Sequence, residues 1–238
     1  MARVRRQDGP EVRSGVITRL AVRSGRPDRT RVYLDGHLAV ALATQVVQEA
    51  RLREGCVLEE PRFAELLAAD EPHRARSRAL QLLAARDRSV AEVKRRLESA
   101  GFSEPTIAST VAWLSDLGYL DDERLAGRFV SEKAKSGWGE RRLRIELARK
   151  GVERKQVDQV LVASQEDEEV SRAQDEALVG LVRRRFARRW EEDREGSERR
   201  LTGFLLRRGY GWDDVSRLIR LMDGDAPGRA GTGEVDAP

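Results

Sequence analysis

The stretch RKGVERKQVDQVL, residues 149–161, decides the fold because the chain contains two more stretches like it, SAGFSEPTIASTV at 99–111 and RRGYGWDDVSRLI at 207–219. The three copies align on their glycines, and the apolar residues around the glycines then match as well. The matching residues are Val93, Leu97, Gly101, Phe102, Ile107 and Val111; Leu143, Leu147, Gly151, Val152, Val157 and Leu161; and Leu201, Leu205, Gly209, Tyr210, Val215 and Ile219. Spacings of four place the early pair and the late pair of each set on one helix face. Each copy is therefore predicted to be two helices joined at its glycine.

The repeated glycine predicts how the first helix of each pair ends. Just past a helix the backbone commonly turns left-handed, which glycine does without a steric cost. In this Schellman turn the residue after the glycine packs on the last turn of the helix. The predicted pairs are Phe102 with Leu97, Val152 with Leu147, and Tyr210 with Leu205. At the other end, Ser89 and Glu92 predict a capping box, and Gly139 and Ser197 occupy the equivalent N-cap position.

A further helix precedes each pair, so the repeating unit has three helices. Asp121 is predicted to cap the helix that leads the second copy. The units are predicted at 75–117, 118–165 and 168–222. Such modules bury little alone and stack on their neighbours. The predicted fold class is mainly α, with tandem three-helix, helix-turn-helix-like repeats in an elongated, curved array.

Residues 14–72 are predicted to form a small α+β element. Alternating apolar and polar residues flank Asp35 and Gly36, a pair that favours the positive φ angles of a tight turn, so we expect a β-hairpin over about 15–42. A helical segment follows, and then a short helix and a linker interrupted by Pro72. The two ends, 1–13 and 223–238, lack apolar periodicity, which predicts a flexible basic arm and a disordered tail.

Composition argues against export and membrane insertion. Of the 238 residues 39% are hydrophobic and 36% are charged, and no run approaches the roughly 18 apolar residues of a membrane helix. The N-terminus lacks the apolar segment of a signal peptide, and the single cysteine, Cys56, permits no internal disulfide. We therefore expect a cytoplasmic, monomeric protein with no membrane partner.

The sequence offers little for catalysis. It lacks a phosphate-binding loop, a G-x-S-x-G motif and an H-E-x-x-H motif, and its two histidines, His37 and His73, are far apart. The acidic run Asp121, Asp122 and Glu123 is better explained as a helix start favoured by the helix dipole than as a metal site. We predict that the chain is not an enzyme and has no catalytic residue, cofactor or metal.

Arginine-containing pairs recur at equivalent positions of the second and third copies. The second copy lies in the more basic part of the chain, and the third copy follows it. The candidate partner-binding or DNA-binding residues are Arg141, Arg142, Arg149, Arg199, Arg200, Arg207 and Arg208, with Trp138 in a glycine-flanked loop. Two interpretations stay open. The arginines form either a solvated face with cations at helix C-termini, or a basic stripe matched to phosphates or to an acidic protein surface.

Three segments resemble the RecX family of recombinase regulators: RALQLLAARDRSVAEVKRRLESAGF at 78–102, LSDLGYLDDERLAGRFV at 114–130 and GWGERRLRIELARKGV at 137–152. The resemblance covers about 75–222, and the third copy is the most divergent. It implies a non-enzymatic modulator of RecA that binds the RecA–DNA filament along its groove and restrains filament growth, ATP hydrolysis, strand exchange and coprotease activity. It does not imply which residues make the contacts, so the arginines remain a hypothesis based on their repetition.

Two other functions remain as alternatives. A direct DNA-binding protein is one, because helix-turn-helix units with a glycine in the turn can place their second helix in the major groove. The second helices of the copies carry few Arg, Asn or Gln residues that would read base edges, which argues against it. A helical scaffold for an unrelated partner is the other.

Overall fold

The computed structural model describes residues 13–23 and 25–224. These residues form two compact units. The first contains 13–87 and 93–119, and the second contains 88–92 and 120–224. The predicted arm, apart from Arg13, and the predicted tail, apart from Asp223 and Gly224, lie outside the described residues.

Strands and helices follow one another in chain order. The strands are β1 (Gly15–Arg23), β2 (Arg26–Leu34), β3 (His37–Ala43) and β4 (Val57–Leu58). They form one antiparallel sheet in the order β3-β2-β1-β4. The helices are α1 (Thr44–Glu49), α2 (Glu60–Ala85), α3 (Val90–Glu98), α4 (Glu104–Asp116), α5 (Asp122–Lys135), α6 (Glu140–Lys150), α7 (Arg154–Glu166), α8 (Glu168–Glu192), α9 (Arg194–Arg208) and α10 (Trp212–Met222).

The predicted hairpin is present between β2 and β3. Asp35 and Gly36 have φ angles of 48° and 82°, and positive values at both positions are what a tight turn of this kind requires. One face of the sheet packs on α1 and α2 and forms the core of the N-terminal element. This core includes Ile17, Val32, Leu34, Leu42, Val46, Val47, Leu58, Phe63 and Leu66.

The prediction of a short helix and a linker around Pro72 was wrong. Helix α2 is continuous over 26 residues, with Pro72 inside it. A proline in a helix interior removes a hydrogen bond and costs about 3 kcal/mol. The helix continues because both halves are anchored: Phe63 lies in the core under the sheet, and the buried Ala75 and Ala79 lie on the half that packs against α4.

Asp70 ties α2 to the sheet, and nothing in the sequence pattern singled it out. It is 1% exposed, and its carboxylate accepts two hydrogen bonds from the Arg29 guanidinium at 2.7 and 2.9 Å. It also accepts the backbone N–H of Ala43 at 2.6 Å. Taking a carboxylate out of water costs several kcal/mol, so these partners are required for its burial.

All three predicted Schellman turns are confirmed. Gly101, Gly151 and Gly209 have φ angles of 80°, 83° and 88°. The residue after each glycine donates its backbone N–H to the predicted leucine carbonyl: Phe102 to Leu97 at 3.3 Å, Val152 to Leu147 at 3.1 Å, and Tyr210 to Leu205 at 3.1 Å. The three leucines are fully buried. The repeated stretch is therefore a helix end clasped onto its own core.

The predicted helix starts are confirmed with one exception. Ser89 and Glu92 exchange the two hydrogen bonds of a capping box at 3.1 and 3.2 Å, and the Asp121 carboxylate accepts the N–H of Arg124 at 2.8 Å. Gly139 is the N-cap of α6.

Ser197 is not an N-cap, and that prediction was wrong. Helix α9 begins one turn earlier because Asp193 caps it, accepting the N–H of Gly196 at 2.9 Å. Ser197 is buried inside the helix and donates its hydroxyl to the Arg189 carbonyl at 2.9 Å.

Glu71, just before Pro72, caps α4 from the neighbouring helix. Its carboxylate accepts the backbone N–H and the hydroxyl of Ser103 at 2.8 and 2.9 Å and the hydroxyl of Thr106 at 3.0 Å. Burial opposes ionisation, but the hydrogen bonds from Ser103 and Thr106 outweigh it and lower the pKa of Glu71 below its ordinary value of 4.5.

This cap predicts an acid sensitivity of the first unit. A carboxylate whose folded pKa is lowered stabilises the fold above its unfolded pKa, and that stabilisation is lost as the pH falls through the folded value. Thermal melts taken from about pH 6 to about pH 3 should show a smaller loss of Tm for Glu71→Gln than for the unmodified chain, since glutamine does not titrate. Glu65→Gln, at an exposed ion pair on the same helix, should follow the unmodified chain. Equal pH dependence in Glu71→Gln and the unmodified chain would contradict the assignment.

Candidate partner-binding surface

The end of α9 meets the start of α6 in the second unit. The backbone N–H groups of Gly139 and Arg141 donate to the carbonyls of Arg208 and Gly209 at 2.8 and 3.1 Å. The first N–H groups of a helix and its last carbonyls have no partner within the helix. Here the last carbonyls of α9 accept hydrogen bonds from the first N–H groups of α6. The negative end of the α9 dipole therefore meets the positive end of the α6 dipole. We call this contact the α9–α6 joint.

Two glycines allow the joint to close. A Cβ added at Gly139 would lie 2.5 Å from the backbone of Gly209. A Cβ added at Gly209 would overlap the backbone nitrogen of Arg142. The glycine that ends each repeat therefore has a second role here, because it leaves room for the neighbouring helix.

A related contact occurs at the other end of α6. The Ser89 hydroxyl donates to the Lys150 carbonyl, and a Cβ added at Gly151 would overlap Ala91. Both residues belong to the short segment 88–92, which is part of the second unit. The same glycine position is thus in contact with a helix start in two successive repeats.

The α9–α6 joint brings together four of the predicted arginines. Arg141 and Arg142 open α6, and Arg207 and Arg208 close α9, so each pair lies beside the other. Arg185 of α8 joins them, because its guanidinium carbon and that of Arg208 lie 5.0 and 4.9 Å from the centroid of the Phe204 ring. These five residues are the joint cluster: Arg141, Arg142, Arg185, Arg207 and Arg208. Among the described residues, none of the five has a carboxylate within 4.0 Å.

The members of the joint cluster differ in the exposure of their side chains and in the contacts they make. Arg208 is half-buried and donates from Nη1 to the carbonyls of Ser136 and Gly137 at 2.6 and 3.0 Å. Arg142 is also half-buried, and its guanidinium lies 3.8 Å from the centroid of the Trp138 ring. Arg141 and Arg207 are exposed at their side chains. These last two are therefore the cations best placed to bind a partner without disturbing the fold.

Trp138 lies at a seam and is half-buried rather than fully exposed. Its ring contacts Phe129 edge to face at 6.1 Å and packs against the core of α5, α6 and α7. The Lys133 ammonium nitrogen lies 5.9 Å from the Trp138 ring centroid. The Arg142 guanidinium stacks on the Trp138 ring, so Trp138 helps to position the joint cluster. Only part of the Trp138 side chain remains accessible to a partner.

The remaining predicted arginines lie outside the joint cluster. Arg149 is two turns beyond Arg142 on α6, and it is 71% exposed and paired with Glu146 at 3.0 Å. Arg200 is two turns before Arg207 on α9 and lies 3.5 Å from Asp193. Its neighbour Arg199 is exposed. These three extend the basic face along α6 and α9 away from the joint.

Sequence reasoning missed Arg185 and Phe204. The run RRRFARR at 183–189 is visibly basic, but the sequence alone does not indicate which of its arginines faces α9. The sequence carries no signal that separates Arg185 from the other arginines of this run.

Two shifted pKa values border these contacts. Burial, aided by the charge of Asp214, raises the pKa of Tyr210, the residue after Gly209, to about 12. Burial also raises the pKa of Asp122, although this carboxylate accepts the N–H of Val90 at 2.9 Å. Tyr210 therefore stays neutral beside the joint, and the surface there keeps the charge of its arginines.

Metal-binding clusters and membrane-spanning helices are the two remaining features considered for the described part of the chain. No group of three or more His, Cys, Asp or Glu side chains there could hold a metal ion. Within the same residues, no helix is both long enough and apolar enough to cross a bilayer.

Models of three RecX domains match the chain in order. The first three-helix domain matches residues 75–114, the second 121–161 and the third 173–219. The structure is 68% helical, which confirms the predicted mainly α fold with three tandem three-helix domains and a small N-terminal strand element.

Known relatives agree with these matches. The chain is 40% identical over 148 residues to the regulatory protein RecX of Mycobacterium sp. (strain KMS), covering 59% of this chain and 78% of the relative. It is 24% identical over 204 residues to that of Clostridium botulinum (strain Eklund 17B / Type B), covering 86% and 94%.

Solved structures share the fold. A crystal structure of a regulatory protein RecX aligns with a TM-score of 0.63 and 25% identity, covering 86% of this chain and 98% of that one. RecX from Lactobacillus salivarius aligns with a TM-score of 0.58 and 23% identity, covering 65% and 98%. The three domain models together span more than half of the sequence. The chain belongs to the RecX family of regulatory proteins.

Proposed function

We propose that this chain binds the RecA–DNA filament in the cytoplasm and restrains its recombinase, ATPase and coprotease activities, and that the joint cluster is part of the surface that binds. Membership of the family of regulatory proteins carries the first part of the proposal. The five arginines of the joint cluster, which have no ion pair within the described part of the chain, carry the second. Cations held together on a folded surface attract an anionic partner and speed its association.

Tandem repeats suit a filament as the partner. A filament presents the same surface many times, so several weak contacts from successive repeats add through effective concentration. The α9–α6 joint holds the second and third repeats together, which lets contacts on both act on one partner. This arrangement favours inhibition at substoichiometric amounts of the regulator.

The direct test measures RecA ATP hydrolysis and strand exchange with and without this chain, together with its binding to DNA alone. Inhibition of both activities at substoichiometric ratios supports the proposal. No effect on RecA, combined with tight and sequence-selective binding to duplex DNA, would replace it with the helix-turn-helix alternative. That alternative requires the second helices, α4, α7 and α10, to carry the contacts.

Charge reversal at the joint tests the surface. We expect the double variant Arg141→Glu/Arg207→Glu to need about tenfold more protein for half inhibition of RecA ATPase, since tenfold corresponds to only about 1.4 kcal/mol. Both side chains are exposed, so helicity and Tm should stay unchanged. The matched control is Arg154→Glu/Arg220→Glu, which makes the same change in charge on the second helices α7 and α10.

The two doubles separate the possible surfaces. The control should inhibit RecA like the unmodified chain. If the control loses inhibition and the joint double keeps it, the binding surface lies on the second helices and the joint cluster is not part of it. If both doubles inhibit normally, the joint cluster has no part in binding.

A further inference from the structure

The outer face of the N-terminal sheet carries arginine and tyrosine side chains. Thr30, Val32 and Leu34 of β2 are at most 5% exposed and face the core. Side chains alternate between the two faces of a strand. Arg31 and Tyr33 of the same strand therefore lie on the opposite, outer face.

Two bulges align neighbouring strands with these residues. A register shift between Ile17 and Arg19 of β1 brings Arg19 opposite Tyr33. A second shift, in the pairing of β2 with β3, brings Leu38 opposite Tyr33 on the other side. A bulge inserts one residue and so reverses which face the following side chains take. The Arg19 guanidinium carbon lies 5.7 Å from the Tyr33 ring centroid, and Leu38 is 55% exposed.

The neighbouring residues on this face of the sheet border a cavity. Arg31 pairs with Ala21 on one side and Ala41 on the other, and Ala41 also lines a cavity of about 380 Å³. Arg74 and Arg78 line it from successive turns of α2, and Phe102 lines it from the turn after α3. The Arg74 guanidinium carbon lies 5.7 Å from the Phe102 ring centroid. The cavity thus repeats the combination of cation and aromatic ring found on the sheet.

This face carries a net positive charge. Among the described residues, Arg19, Arg31, Arg74 and Arg78 have no carboxylate within 4.0 Å, whereas Arg29 is fully used by Asp70. Asp28 is the acidic side chain that lines the cavity. Glu71 of α2 also interacts electrostatically with Arg74. Four cations against these two carboxylates leave a net positive charge, which favours an anionic ligand.

We propose that this face binds single-stranded nucleic acid, with phosphates on Arg19, Arg31, Arg74 and Arg78 and bases stacked on Tyr33 and Phe102. Tyr33 and Phe102 are half-buried, so each ring keeps part of its surface accessible. Aromatic surface beside cations suits a single strand, whose bases offer free faces, and not a duplex, whose bases are stacked inside. Successive rows of a sheet face lie about 7 Å apart along the strands, so the cations follow an extended path. The site is in the first unit, and it requires neither RecA nor the joint cluster.

Fluorescence anisotropy of a labelled oligothymidine, titrated with the full chain without RecA, tests this proposal. Loss of two phosphate contacts should weaken binding by Arg31→Glu/Arg78→Glu about tenfold or more at low salt. It should also reduce the slope of log affinity against log salt by about 1.4, since each contact to a single strand contributes about 0.7. Tyr33→Ala should weaken binding at least about fivefold through lost stacking, with little change in the salt slope.

Matched variants decide among the outcomes. Arg62→Glu/Lys94→Glu makes the same change in charge on exposed positions of α2 and α3 and should bind like the unmodified chain. Arg31→Lys/Arg78→Lys should keep most of the affinity and the salt slope. Circular dichroism and Tm confirm that each variant is folded. Absence of oligothymidine binding by the unmodified chain overturns the proposal.

The joint double, Arg141→Glu/Arg207→Glu, keeps the two proposals distinguishable. If it abolishes oligothymidine binding while the sheet variants bind normally, the nucleic acid is bound at the α9–α6 joint and the sheet face is not the site. If the sheet variants fail to bind but inhibit RecA normally, the sheet proposal holds and the filament proposal is unaffected.

Discussion

Gly209→Ala is expected to destabilise the second unit by about 3 kcal/mol or more. Two costs combine. A side chain at a left-handed position costs roughly 1–2 kcal/mol, and Gly209 has a φ of 88°. The added Cβ would also overlap the Arg142 backbone, so the joint must open and lose two hydrogen bonds worth about 0.5–1.5 kcal/mol each.

Two other glycines separate these costs. Gly118 has a φ of 70° with no atom near the position of an added Cβ, so Gly118→Ala reports backbone strain alone. Gly139 has a φ of −81°, which any residue adopts, while its added Cβ would lie 2.5 Å from Gly209. Gly139→Ala therefore reports the steric overlap without backbone strain, together with the smaller cost of alanine at an N-cap.

Urea denaturation followed by circular dichroism, with Trp fluorescence as a second probe, measures all three variants. Gly209→Ala should exceed Gly118→Ala by about the cost of opening the joint, roughly 1–3 kcal/mol. The double Gly139→Ala/Gly209→Ala should lose less than the sum of the singles, because the joint opens only once. A Gly209→Ala variant no less stable than Gly118→Ala would show that the joint contributes nothing to stability.

The prediction for Gly209 also marks how far sequence reasoning reached. The glycine, the end of its helix and its Schellman turn are local features, and the pattern of the three copies predicted each of them correctly. That the same glycine faces the start of α6 could not be predicted, because residues far apart in the chain form that contact and no local pattern records it.

The candidate arginines show the same limit. All seven were chosen because they recur at equivalent positions of the second and third copies, and this repetition does not show which side chains a neighbouring helix covers. Arg142 and Arg208 lie at helix ends that another helix covers, so they became half-buried and took structural contacts. Arg141 and Arg207, one position away, remained exposed. Helix α2 is a further case, since the local effect of Pro72 was outweighed by packing at both ends of the helix.

Asp70→Ala is expected to destabilise the first unit by about 3–5 kcal/mol, the usual cost of breaking a buried ion pair by removing one partner. The substitution leaves the Arg29 guanidinium buried without its bidentate partner and the Ala43 N–H without an acceptor. Both losses act where α2 joins the sheet. The N-terminal element should therefore lose its structure before the repeats do.

Hydrogen exchange in the strands, measured alongside urea denaturation, distinguishes this local loss from general destabilisation. Amides of β2 and β3 should lose protection in Asp70→Ala while those of α6 and α9 keep it, because the two groups of elements belong to different units. Glu65→Ala provides the control, since it removes an exposed ion pair with Arg62 on the same helix and should cost less than about 1 kcal/mol.

A second variant tests whether the charge or the shape of Asp70 matters. In Asp70→Asn the amide oxygen can still accept one hydrogen bond, but the Arg29 charge loses its counterion. If electrostatic pairing dominates, the asparagine variant should be nearly as unstable as the alanine variant. The double Arg29→Met/Asp70→Leu removes both charges and should recover much of the loss, because an apolar pair of similar size leaves no buried ion unpaired. A double variant as unstable as Asp70→Ala would show that the contact to Ala43, and not the ion pair, holds α2 against the sheet.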